Sequence, residues 1–165
     1  SSKLESFIEF GANVGLNLIA VKDLIPGVAA TAVEINSSAI SKLKMIDDVK
    51  VIHGSILESN KIEMYDLAMV IGVLIHIAPK YLPIVYENIY RATRRYILIG
   101  EYYSRQPEEV SYRGYKNKLF KRDFAGEMLD KYTDLRLVDY GFFYHKDESS
   151  KLDDITWFLM EKADI

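Results

Sequence analysis

Two carboxylates, Glu9 and Glu34, bracket a turn with the pattern Glu9-x-Gly11-x-Asn13-x-Gly15-x-Asn17. The chain around them reads as an apolar strand, a Gly-containing turn, a helix, and a second strand that stops at Glu34. Such a unit presents backbone N–H groups and a helix N-terminus to an adenosine-bearing ligand, and a second-strand carboxylate can take two ribose hydroxyls. A diphosphate-binding turn wants Gly-x-Gly-x-x-Gly, so that the backbone can approach the phosphates. Here only Gly11 and Gly15 are present, and Glu9 would repel a diphosphate. The same carboxylate suits the sulfonium and ammonium groups of S-adenosylmethionine, so charge favours that cofactor over NAD or FAD. The plainer reading is a generic strand–helix–strand turn with an incidental glutamate.

A second group of reactive side chains follows the fourth and fifth apolar runs: His76, then Glu101, Tyr102 and Tyr103, then Tyr112 and Arg113. In doubly wound sheets ligands bind beyond the carboxyl ends of the strands, so these residues should edge one cleft. Histidine side chains ordinarily titrate near neutrality, so His76 is the preferred candidate base, or else a polar cap packed on a cofactor. Glu101 is the other candidate base, or it simply bonds nearby backbone. The tyrosine pair could wall a sugar ring or pack as ordinary aromatics. Arg113, Lys121 and Arg122 could grip a carboxylate or phosphate, or could be merely solvated. Asp123 could N-cap the helix after it. The three histidines have no metal-ligand spacing, and no metal is expected.

These residues need a scaffold, and the pattern supplies one. Phe7–Phe10, Ala30–Glu34, Val49–His53, Leu67–Gly72 and Tyr96–Gly100 are short apolar runs suited to a parallel sheet covered on both faces. Helical stretches Leu16–Leu24, Ser38–Met45 and Tyr81–Ala92 lie between them. Pro26-Gly27 ends the first, Ser37 or Ser38 can cap the second, and Pro79 and Pro83 fit the start of the third. Lys121–Lys131 reads as a fourth helix. Leu135–Tyr144 and Ile155–Glu161 read as an antiparallel pair at the end of the sheet. The expectation is one α/β domain over residues 1–165, with helices on both faces. Because the first strand begins almost at Ser1, a helical cover for the cofactor mouth is expected to be missing from this stretch.

Composition narrows the options. The 165 residues are 49% hydrophobic and 27% charged, with a net charge of −3 and no cysteine. That excludes disulfides, thiolate metal sites and cysteine nucleophiles, and fits a reducing compartment. The acidic balance argues against a nucleic-acid partner. The longest apolar stretch is too short to span a bilayer and no secretory signal is visible, so a cytoplasmic location without a membrane partner is expected.

As a whole the chain resembles the seven-stranded, Rossmann-like S-adenosylmethionine-dependent methyltransferases. Within them, residues 72–79, 96–103, 112–114, 119–127 and 153–159 are similar to the methylases associated with pseudaminic acid biosynthesis. The resemblance implies a mostly parallel seven-stranded sheet whose last hairpin inserts one antiparallel strand. It places Glu9, Gly11, Asn13 and Gly15 on the methionine side of the cofactor. Glu34 and Ile35 would hold ribose and adenine, Ser55 and Ile56 the adenine edge, and Gly72, Val73 and His76 the methyl donor. Many members have Asp where this chain has Ser55, and a hydroxyl accepts the adenine amino group more weakly than a carboxylate. The implied acceptor is an oxygen or nitrogen of a small sugar-derived molecule of the nonulosonic acid class. Methylation of a protein or nucleic acid, or a non-catalytic cofactor-binding module, are the alternatives.

Overall fold

The computed structural model describes residues 3–58, 63–112, 115–149 and 152–163. Five strands, β1 (Ser6–Phe10), β2 (Ala29–Glu34), β3 (Val49–His53), β4 (Tyr65–Ile71) and β5 (Thr93–Glu101), run parallel in one sheet. The last two, β8 (Leu135–Phe143) and β9 (Ile155–Lys162), close it. β9 is antiparallel to both neighbours, and the order is β3-β2-β1-β4-β5-β9-β8. This is the expected mostly parallel seven-stranded sheet with a C-terminal antiparallel hairpin.

Neighbouring residues on β1 point to opposite faces, and each face has its own core. Phe7 packs with Leu18 of helix α1 (Leu16–Leu24) and with Ile40 and Leu43 of α2 (Ser37–Leu43). Ile8 and Phe10 pack on the other side with Val85 and Ile89 of α3 (Leu82–Arg91) and with Phe124 and Met128 of α4 (Phe124–Lys131). The central strands are therefore apolar on both sides, which explains their nearly continuous apolar runs. Strand order reverses between β1 and β4, and that switch point at the carboxyl edge is where a doubly wound sheet opens a crevice.

Three local expectations are corrected. Asn36, not Ser37 or Ser38, caps α2: its side chain accepts from the amides of Ser38 and Ala39. An Asn side chain two residues ahead of the first free amide reaches it as well as a serine would. The predicted helix over Lys121–Lys131 begins only at Phe124, with Asp123 capping it through the amide of Gly126. The residues before it form a hairpin, β6 (Glu108–Tyr112) with β7 (Tyr115–Lys121), so Lys121 ends a strand instead of beginning a helix. β7 packs against the short 3-10 turn Leu74–His76 that follows β4. Third, Gly72 lies outside β4, because its φ of +66° is incompatible with a strand.

Gly15 shows why the first turn is written with glycine. It begins α1 at φ +87°, and a Cβ there would lie 2.4 Å from Ile46 Cδ1 and 2.9 Å from Leu43 Cδ2. Gly15→Ala combines left-handed backbone strain with overpacking and should cost about 2–4 kcal/mol. Urea unfolding of the two proteins measures it; a difference below about 1 kcal/mol would contradict this account of the turn.

Candidate active site

The turns after β1, β2 and β4 converge at the switch point. Gly11 has φ +71°, and a Cβ on it would lie 2.4 Å from Val73 Cγ2, so only glycine lets the turns after β1 and β4 meet so closely. The amides of Gly11 and Ala12 both donate to the Val33 carbonyl, at 2.8 and 3.2 Å. Glu34 ties the same region together. Its Oε1 accepts from the amides of Ile35 and Asn36, and its Oε2 from that of Asn13, each at 2.8 Å. A carboxylate offers about four lone-pair positions, so one on Oε2 remains for a ligand hydroxyl.

Around this framework lies a mostly apolar cavity of about 170 Å³, whose lining includes Gly11, Glu34, Ile35, Ser55, Ile56 and Val73. Its far wall is held from outside. His53 Nε2 lies 3.1 Å from the Ile35 carbonyl, and the buried Asn88 donates to the Ile56 carbonyl at 2.6 Å. Ser55 Oγ accepts from the Leu57 amide. Glu9 stands on β1 outside that lining, fully buried, with Asn17 donating to its Oε1 at 2.7 Å. Its Oε2 has no partner among the described residues. Burial pushes the Glu9 carboxyl up to about 7, against the Asn17 bond that lowers it, and the nearby Glu34 charge raises it further.

A second cavity, of about 210 Å³, opens beyond β4 and β5 and is bounded by Gly72, His76, Glu101, Tyr102, Leu119 and Asp153 among others. Glu101 is 3% exposed. Its Oε1 accepts from the amides of Val73 and Leu74, both at 2.8 Å. Its Oε2 has no partner among the described residues. Burial pushes its carboxyl up to about 7, opposed by the amides of Leu74, Val73 and Ile75. Tyr102 donates its hydroxyl to Asp153 at 2.8 Å, and Leu119 comes from the β6–β7 hairpin. The chain between the two cavities is the turn 72–77, whose residues alternate between them: Val73 and Ile77 line the first, and Gly72, Ile75 and His76 the second.

Of the predicted residues, Gly11, Glu34, Ile35, Ser55, Ile56 and Val73 line the first cavity, and Gly72, His76, Glu101 and Tyr102 the second. Asn13 and Gly15 shape the turn from behind. Two residues go elsewhere. Tyr103 turns to Phe158, with ring centroids 5.9 Å apart. Arg122 pairs with Glu127 at 2.6 Å, and Tyr86 donates to the other oxygen of that carboxylate. Tyr112 ends β6, and Arg113 lies outside the described residues. Asn88, Asp153 and Leu119 escaped the sequence reading. Only Asn88 carried a usable signal, an amide on the apolar stripe formed by Val85, Tyr86 and Ile89.

No family model matches the sequence, and no curated protein matches it. Solved structures do match it. The 1,6-didemethyltoxoflavin-N1-methyltransferase of Burkholderia thailandensis, with S-adenosylhomocysteine bound, superimposes with a TM-score of 0.77. The match is 16% identical and covers 98% of this chain and 72% of that one. The O-methyltransferase of a Brevibacillus brevis trans-AT polyketide synthase, also holding S-adenosylhomocysteine, gives 0.73 at 13% identity, covering 97% and 67%. Magnesium protoporphyrin IX methyltransferase of Synechocystis, with S-adenosylmethionine bound, gives 0.70 at 11% identity, covering 98% and 71%. The fold is that of S-adenosylmethionine-dependent methyltransferases. Within this methyltransferase fold, the two cavities lie at the carboxyl edge of the sheet. Among the described residues no helix is long and apolar enough to cross a membrane.

The two buried carboxylates make a pH prediction. With folded values near 7 against an ordinary 4.5, Glu9 and Glu101 hold more protons folded than unfolded between those limits. Their contribution to stability is present below about pH 4.5 and is lost as pH rises through 7. Glu101→Gln keeps an oxygen for the Val73 and Leu74 amides and removes the titration. Relative to the parent it should gain about 2–3 kcal/mol between pH 5 and 8, read from urea unfolding at both values. Parallel pH profiles for the two proteins would refute the burial argument.

Proposed function

We propose that the chain is an S-adenosylmethionine-dependent methyltransferase that methylates an oxygen or nitrogen of a small acceptor. The observation that carries this reading is the turn 72–77, which contributes lining to two cavities, one apolar beside Glu34 and one bounded by Glu101, whose Oε2 has no partner among the described residues. Methyl transfer demands close, aligned contact between donor and acceptor, and the shared turn sets the two cavities next to each other.

The residues of the first cavity fit the cofactor. Its apolar walls suit a flat heterocycle, and the remaining lone pair of Glu34 Oε2 can accept a ribose hydroxyl. The unpartnered Glu9 Oε2 is a buried acceptor near the first turn that a cationic methionine group would satisfy. S-adenosylmethionine supplies an electrophilic methyl group on a positively charged sulfur. The chain's task is to hold the donor against Gly11 and Val73, to align the acceptor, and to take its proton.

Glu101 is the better placed base. Its Oε1 is immobilised by two amides, while its Oε2 is left for an acceptor O–H or N–H. A carboxyl pushed up to about 7 can remove that proton at neutral pH more effectively than an ordinary glutamate. His76 lies at the exposed rim of the same cavity and serves to orient the acceptor. The sugar-derived, nonulosonic class of acceptor rests on the sequence resemblance. The neighbours' named substrates include a toxoflavin precursor and a porphyrin, which accords with a small-molecule acceptor.

Calorimetry tests the donor site: S-adenosylhomocysteine should bind at micromolar strength and NAD should not. Glu34→Ala should weaken that binding about tenfold or more, through the lost charged hydrogen bonds. Unchanged affinity would remove Glu34 from the site. With labelled donor and candidate nonulosonic acids or their nucleotide-activated forms, Glu101→Gln should lower kcat about a hundredfold or more. It should also abolish a rise in rate through pH 7. Label transfer to no sugar or macromolecule would favour a non-catalytic binding module.

A further inference from the structure

The second cavity has a charge signature that bears on its occupant. Among the described residues, its lining holds two carboxylates, Glu101 and Asp153, and no lysine or arginine. Among the described residues, two nearby cations are directed elsewhere. Arg122 is held by Glu127. Lys121 sits outside the lining with its Nζ 5.5 Å from the centroid of the Tyr102 ring. Tyr102 spends its O–H on Asp153.

The available chemistry is therefore nearly all hydrogen-bond acceptance. Glu101 bounds the cavity, and its buried Oε2 has no partner among the described residues. At the rim is Asp153, an exposed carboxylate with one oxygen accepting from Tyr102. An incoming carboxylate or phosphate would be desolvated against two like charges. An ammonium group brings three N–H donors and the opposite charge.

We propose that the second cavity accommodates a small cationic amine, of amino-sugar size or less, with its nitrogen directed at Glu101 Oε2 and its charge shared with Asp153. This rests on the methyl-transfer reading for the nitrogen's fate and departs from the nonulosonic class of acceptor, whose carboxylate this lining disfavours. The binding preference itself follows from the cavity alone. Glu101 has a further role in it, since the carboxylate that receives the ammonium proton also fixes the wall toward Val73.

Three matched hexopyranose probes test it: D-glucosamine as cation, methyl glucoside as neutral and D-glucuronate as anion. Each is titrated into isotope-labelled protein with and without S-adenosylhomocysteine, following the amide and side-chain signals of Glu101, Tyr102 and His76. Glucosamine should bind at millimolar strength and at least tenfold more tightly than glucuronate. Asp153→Asn, at an exposed site that leaves folding intact, should cut that preference to threefold or less without changing S-adenosylhomocysteine affinity. Glucuronate binding as well as glucosamine, neither probe moving those signals, or an unchanged preference in Asp153→Asn would each overturn the assignment. If glucosamine is preferred and S-adenosylhomocysteine does not bind, the amine site stands and the methyl-transfer reading falls.

Discussion

The carboxylate of Glu101 bonded to the amides of Val73 and Leu74 is the contact on which the two-cavity arrangement depends. The turn after β4 is short, and without an external acceptor its first amides would be buried donors with nothing to bond. One side chain from the end of β5 satisfies two of them, and so fixes where Val73 faces the first cavity and where His76 faces the second. Gly11 makes the same turn possible from the other side, because any side chain at that position would collide with Val73. At the end of β2, Glu34 does the same for the donor side, gathering three amides from the turns after β1 and β2. Two acidic residues, each at the end of a parallel strand, thus set most of the site's backbone geometry.

That use of carboxylates has an energetic consequence. A buried glutamate bonded at one oxygen and bare at the other is a poor structural choice, since the bare oxygen gives up its hydration and gets nothing in return. An apolar or amide side chain would bury more comfortably. Among the described residues Glu9 and Glu101 share this defect, near the carboxyl ends of β1 and β5, and Glu101 bounds the second cavity. Locally unfavourable groups that the surrounding structure holds in place are more often found where a ligand completes them than in structural cores.

Much of this was legible in the sequence because the central strands are covered on both faces, so that β1 to β5 leave continuous apolar runs that sidedness does not blur. The turn glycines and the carboxylate at the end of β2 were legible for a related reason: backbone geometry at Gly11 and Gly15 tolerates no substitute. What was not legible is what tertiary contact decides. The β6–β7 hairpin, with Glu108, Glu109, Lys116 and Lys118 along it, carries too few apolar residues to alternate visibly, and its strand character comes from pairing across the hairpin. The division of labour among the polar residues after β5 was equally hidden. Nothing local separates Tyr102, which reaches Asp153 across the sheet, from Tyr103, which turns to Phe158. Nothing local tells that Arg122 is already neutralised by Glu127.

The hairpin also explains how one fold can serve different acceptors. The sheet, its two cores and the turns around Glu34 build the donor side from backbone groups, which vary little with side-chain identity. The acceptor side is built differently, from the tip of β5, from Leu119 on the inserted hairpin, and from the loop that carries Asp153 between β8 and β9. Leu119 also belongs to the core around Ile8, whereas the described residues of the loop that carries Asp153 belong to neither core, so that loop can change in length and charge at small cost to stability. In this chain the variable half has been given two carboxylates and, among the described residues, no lysine or arginine in its lining. It is that local choice, more than the shared sheet, that distinguishes what this cavity will accept.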